Sequence, residues 1–268
     1  IFLLLVLACL LLPVLTVLGA WLQADARSAE VLLGMAQTVL PDYALSSLVL
    51  CAWVLVGVVG MGTVSAVTVT LFEFRGRRVL EWALLLPLAM PAYVVAYAYT
   101  DFLQFSGPAQ QWLREQWGLQ GRVLPEIRSL WGAACVLALT LYPYVYLLVR
   151  AALVERAPQL MEAARLLGAD LPRRIFRVAL PLARPAIAAG TALALMETLA
   201  DFGVSSYFGV TTFSTGIYKA WLVMDDRVAA AQLATFLLLL VAVMLRLEQK
   251  AQARLRFASQ RSMGRGAE

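Results

Sequence analysis

Six stretches of this chain run free, or nearly free, of charge for long enough to cross a bilayer, and nothing else in the sequence limits its fold so strongly. Crossing the hydrocarbon takes roughly 20 apolar residues in a helix. Windows of that kind cover 1–22, about 44–71, 82–100, 129–149, about 186–205 and 228–245. The fifth is the least regular, because Glu197 and Asp201 interrupt it. In lipid every backbone N–H and C=O must find its partner inside the protein, so spans of this composition fold as helices. With 62% hydrophobic and 15% charged residues, the chain lies well outside the range of a water-soluble domain. The expectation is an all-α membrane protein of about six transmembrane helices over 1–247, followed by a basic tail or linker at 248–268.

Orientation follows from the basic residues. If the 72–81 turn, the 150–184 loop and the tail share one side, that side holds sixteen of the 22 Lys and Arg. Arg27, Arg114, Arg122, Arg128, Lys219 and Arg227 fall on the other. The richer side is cytoplasmic by the positive-inside rule. The net charge of +5 is then a matter of topology and calls for no nucleic-acid partner.

Several chemistries are excluded. The chain has no His, which removes the commonest general base and metal ligand, and no nucleophile–base pair stands out, so an enzyme is not expected. No GxxxxGK[ST] stretch is present to cradle a nucleotide, so any ATP dependence must come from a partner. Cys9, Cys51 and Cys135 each lie in a different apolar run and read as small buried hydrophobes, without disulfide or metal.

Along the chain, IFLLLVLACLLLPVLTVLGAW has neither a basic n-region nor a clear cleavage site, and reads as a first span with a kink at Pro13. The 23–43 segment suits an external loop, and Gly57, Gly60, Gly62 and Ser65 offer a small-residue stripe for helix packing. Pro87 and Pro91 predict a bend in the third span. Between Gln104 and Arg128 a short external helix is expected, with Trp112 and Trp117 near the interface. Tyr142, Tyr144 and Tyr146 read as an aromatic belt.

The stretch from Pro158 to Pro185 is neither a span nor a solvated loop. Leu160, Ala163, Ala164 and Leu167 share one face of a short amphipathic helix that starts at Pro158. Gly168 suits its left-handed end, and Asp170 can cap a second helix. Glu162-Ala163-Ala164, then Gly168 and Ala169, then Val178, Leu180 and Pro181 have the spacing of the EAA motif. On those residues the chain resembles the permease subunits of binding-protein-dependent ABC importers, with Val178 where that family usually has Ile. The resemblance implies a type I, MetI-like permease fold in which 155–184 is the coupling loop and its helix sits in a groove of a cytoplasmic ATPase dimer. Glu162, Ala163, Ala164, Gly168, Ala169 and Pro181 are then the ATPase-coupling residues. It further implies an extracytoplasmic substrate-binding protein, a second permease half (a second copy or a fused one), and residence in a bacterial inner membrane with the EAA loop and the C-terminus cytoplasmic. ATP and Mg2+ belong to the partner, and this chain holds no cofactor.

More narrowly, ETLADFGVSSYFGVTTFSTGIYKAW, residues 197–221, resembles ferric-iron importer permeases. Permeases of that kind often carry two six-span halves in one polypeptide, which makes this chain one half or a subunit that pairs with itself. Carboxylates at bilayer depth are costly and often functional. Glu197 and Asp201, four apart on one helix face, and Tyr93, Tyr97 and Asp101, spaced i, i+4, i+8, reach similar depth and are candidates to line one path. Hard cations favour such oxygen ligands, although no firm metal site is assigned. The alternative is that Glu197 and Asp201 only accept hydrogen bonds from neighbouring helices or coupling-loop residues and so fix the bundle. Ferric iron is the expected cargo and thiamine the runner-up. An ion-coupled secondary carrier with Glu197 and Asp201 as proton relay is the competing class.

Overall fold

The computed structural model describes residues 2–23 and 26–264, and the last four residues of the tail lie outside it. Helix α1 (Phe2–Gly19) continues through a 3-10 turn to Gln23, and α2 (Ala26–Thr38) follows where a loop is expected. Next come α3 (Leu40–Leu71), α4 (Arg77–Ala83), a 3-10 turn at Leu86–Ala89, α5 (Ala92–Leu103) and α6 (Pro108–Trp117). Helix α7 spans Leu130–Leu166 and α8 spans Leu171–Arg174, leading through a π turn into α9 (Leu180–Ala200). The short α10 (Gly203–Tyr207) and α11 (Phe213–Tyr218) and a second π turn, Lys219–Val223, precede α12 (Arg227–Gly264). Among the described residues five stretches are long and apolar enough to cross a membrane: Leu5–Gln23, Leu40–Leu71, Leu130–Glu155, Leu171–Ala200 and Arg227–Arg246. A sixth, Arg77–Ala89 with Ala92–Trp117, is bent by 99°.

The core is a three-helix crossing. Helix α7 lies at its centre, and Leu137, Val145, Tyr146, Val149 and Leu153 on it are almost wholly buried. Gly62 of α3 and Gly190 of α9 press on it from two sides, both against Val145. Absence of a side chain is what allows backbones to come this close. Of the small residues on α3, Gly57 also packs on α7, against Ala138, whereas Gly60 faces open space. Helix α1 is peripheral. Trp21, just beyond it, donates to the Thr235 hydroxyl (3.1 Å) and meets the Phe236 ring edge-on. Cys9 is exposed on α1, which corrects its reading as a buried residue, while Cys51 is buried and Cys135 half-buried.

The bend expected at Pro87 and Pro91 is present, with Arg77–Ala89 and Ala92–Trp117 as its two arms, because each proline removes a donor and its ring crowds the preceding turn. Three further expectations are corrected. The 129–149 span does not stop before a separate helix beginning at Pro158; α7 runs unbroken to Leu166. Extending a helix costs less than nucleating one, and Ala151, Ala152, Ala157, Ala163 and Ala164 are strong helix formers. The fifth span starts early, at Leu171, and a π turn at Ile175–Ala179 widens it just before Pro181, with the Leu180 N–H bonded to the Ile175 carbonyl. It ends at Ala200, and Asp201 has extended geometry (φ −67°, ψ 124°), so Glu197 and Asp201 do not share a helix face. Lastly, Tyr142 and Tyr146 form no interfacial belt. They are buried against α4.

Candidate functional site

Two places combine exposure with the residues singled out above. The first is the tip of α7. The helix stops at Gly168, whose φ of +79° few side-chain-bearing residues adopt. There the Gly168 N–H bonds to the Arg165 carbonyl (3.0 Å) and the Ala169 N–H to the Ala164 carbonyl (3.0 Å), the pair of bonds that defines a Schellman ending. Asp170 precedes α8 with extended geometry but makes no side-chain cap; its carboxylate lies 3.9 Å from Arg173.

That turn leaves an uncovered surface. Glu162 and Ala163 are exposed, Ala164 and Ala169 half-buried, and Pro181 packs half-buried at the base. Leu166 and Leu167 are 84% and 89% exposed, and Leu160 and Phe176 are exposed too. Met161, on the opposite side, is anchored in the core. Arg165 on the tip, and Arg173 and Arg177 in the segment that follows it, are exposed as well. An exposed apolar tip that carries Arg165 fits a protein groove better than a bilayer, where Leu166 and Leu167 would have to enter lipid beside that cation.

The second place is the turn after α9. Asp201 holds it: its carboxylate accepts from the Val204 N–H (3.4 Å), the Ser205 N–H (3.0 Å) and the Ser205 hydroxyl (3.2 Å). Gly203 then seats directly on Tyr93, and the Tyr97 and Tyr207 rings meet at 4.1 Å between centroids. Arg128 donates to the Tyr207 hydroxyl (3.2 Å). Tyr93 and Tyr97 are thus brought to the segment following α9, through Gly203 and Tyr207. Asp101 and Glu197 are exposed. Among the described residues no hydrogen bond or ion pair links either of them to Asp201. Nor, among the described residues, are three Asp, Glu or Cys side chains grouped closely enough to hold a metal ion. The Asp201 carboxylate thus holds the turn that follows its own helix rather than a neighbouring helix or the coupling loop, and Glu197 is exposed.

One cluster escapes the sequence reading. Glu81 of α4 lies 3.2 Å from the Arg77 Nε and 3.1 Å from a terminal guanidinium nitrogen of Arg150 on α7. Tyr146 donates to the Glu81 carbonyl (3.2 Å) and Tyr142 to the Leu84 carbonyl (3.0 Å). Tyr142, Tyr146 and Arg150 recur at i, i+4, i+8, a stripe visible in the sequence whose partner is not.

The family described as "Binding-protein-dependent transport system inner membrane component" matches residues 58–257. A Bacillus subtilis (strain 168) protein whose own name, molybdenum transport system permease protein YvgM, is provisional is 28% identical over 61% of this chain and 72% of that one. The sulfate transport system permease protein CysT of Escherichia coli (strain K12) is 31% identical over 53% of this chain and 49% of its own length. The Fe(3+)-transport system permease protein FbpB 2 of Haemophilus influenzae is 25% identical over 72% of this chain. The chain spans 34% of that iron permease, and about half of CysT. In three dimensions the MetNI methionine ABC transporter, solved in inward-facing conformations, matches with a TM-score of 0.66 at 14% identity, over 82% of this chain and 97% of that one.

Proposed function

The chain belongs to the family of binding-protein-dependent transport system inner membrane components, and from that premise we propose that its α7 tip is the docking element for a cytoplasmic ATPase. In this reading the permease receives substrate from an extracytoplasmic binding protein and passes it through a pore completed by a second permease half. ATP hydrolysis on the partner supplies the work. The observation that carries the reading is the uncovered tip, with exposed Glu162, Ala163, Leu166 and Leu167 around the Gly168 turn. The positive-inside count supports a cytoplasmic tip and C-terminus. Single cysteines at Glu162 and Arg165, in a background without Cys9, Cys51 and Cys135, are expected to react with an impermeant maleimide only in inverted membrane vesicles. Labelling from the extracytoplasmic side would reverse the topology and remove the docking site.

For the cargo, ferric iron remains the first choice. The Haemophilus influenzae iron permease matches 72% of the chain, and Tyr93, Tyr97, Asp101 and Glu197 offer exposed hard oxygen donors. A second reading, an oxyanion, is favoured by the Arg128 guanidinium on Tyr207 and by the engagement of the Asp201 carboxylate in three hydrogen bonds. Thiamine has no observation of this kind behind it. Proteoliposomes holding the complete transporter should accumulate labelled Fe3+ presented on the binding protein, and Glu197→Gln should reduce that uptake while leaving assembly intact. Uptake of molybdate or sulfate in place of iron would decide for the oxyanion, and unchanged iron uptake in the variant would take Glu197 out of the path.

A further inference from the structure

We propose that Glu81 latches α4 to α7, so that displacement of the α7 tip is delivered to the break in the third span. The inference rests on the reading of the tip as the docking element, and it adds the route by which docking reaches the path.

Helix α4 has seven residues and none is buried, so apolar packing gives it little hold on the bundle. What fixes it is the polar stripe on α7. Tyr142 and Tyr146 satisfy the Leu84 and Glu81 carbonyls, the latter pair close to where the third span turns irregular. Carbonyls released by such irregularity must find partners within the protein at membrane depth. Arg150 holds the Glu81 carboxylate from the same stripe. The contact is shielded enough to matter, since the Glu81 and Arg150 side chains are only 19% and 37% exposed. Desolvation offsets much of the attraction in a pair this shielded, so its contribution to bulk stability is small.

The mechanical consequence comes from continuity. No break separates Arg150 from Leu166, so the tip and the stripe belong to one rigid helix. On the other side of the latch the chain bends by 99° between Ala89 and Ala92, and α5 then carries Tyr93 and Tyr97. A push on the tip therefore moves α7 and α4 together, and the change in angle falls at the bend, beside the path candidates. Arg77 is the internal control. It pairs with the same carboxylate, but from α4 itself, and so cannot couple two helices.

In the assembled transporter, Glu81→Gln and Arg150→Gln are expected to lower substrate moved per ATP by roughly fivefold or more, the lower end of ordinary coupling between sites. Arg150→Lys, which keeps the charge, and Arg77→Gln, which leaves the inter-helix pair, should both stay close to wild type. A second measurement needs no variant at the latch. Spin labels at Val79 and Leu166 should keep one distance with and without nucleotide in the wild-type latch. Wild-type coupling in Arg150→Gln, an equal loss in Arg77→Gln, or a nucleotide-dependent Val79–Leu166 distance would each overturn the latch. If the tip is not the docking element, Glu162 and Gly168 variants will couple normally, and the label distance still decides the latch alone.

Discussion

Changing Gly168 to Leu, or Glu162 to Ala, is expected to leave the transporter assembled while ATP hydrolysis continues and uptake falls about tenfold, the change produced by losing roughly 1.4 kcal/mol of docking free energy. The two substitutions act differently. At Gly168 an added Cβ would meet nothing within 4 Å among the described residues, so its cost here is the left-handed backbone alone (φ +79°). That cost is about 1–2 kcal/mol for a residue other than Gly. What it adds in the complex is a side chain where a partner's backbone would lie. Glu162 is exposed, and exposed surface substitutions usually change stability by no more than about 0.5 kcal/mol. Any large loss in that variant must then come from the docked state. The measurement is paired, ATP hydrolysis and substrate accumulation in the same proteoliposomes. If both variants transport per ATP as wild type does, the tip is not where the motor docks.

The second large effect lies in the core. Gly190→Ala is expected to cost about 3 kcal/mol, near the top of the usual overpacking range. Its new Cβ would stand 2.6 Å from the Val145 Cα and 2.9 Å from the Tyr144 carbonyl oxygen, and backbone atoms cannot rotate aside. Gly62→Ala should be almost as damaging, at 2.7 Å from the Val145 Cβ and 2.8 Å from the Tyr142 oxygen. Because both crowd one residue, their costs will not add. Val145→Gly should give partial relief to Gly62→Ala, whose nearest obstacle is a side-chain atom, and none to Gly190→Ala. Gly60→Ala, with nothing within 4 Å among the described residues, is the neutral control. Thermal unfolding in detergent reads all of these. A Gly190→Ala protein as stable as wild type would contradict the crossing itself.

Much of this architecture is legible in the amino acids because each signal concerns a segment by itself. Apolar length finds the spans, Gly168 marks the end of α7, and the Pro87/Pro91 pair marks the bend. The misses concern what one segment does with another. Nothing near Tyr146 says that the Glu81 carbonyl, 65 positions earlier, awaits its hydroxyl. With no partner in view, an aromatic stripe at a span's end reads as a belt. Asp201 is misplaced for a related reason: spacing puts it four residues after Glu197 on one face, yet its carboxylate competes for the backbone N–H groups of Val204 and Ser205 and ends the helix. Proline misleads in the opposite direction. Pro158 is read as the start of a helix, but α7 is already long there, and continuing it is easier than beginning again.

The unbroken run of α7 from Arg150 to the tip also fixes an angle. In a loop, one residue added or lost would only change slack. In this helix it would swing Glu162 by about 100° about the axis and shift it about 1.5 Å along it. The compass bearing of the tip relative to Glu81 is thus written into residue count, and two permeases with identical tips but different counts would point them at different targets.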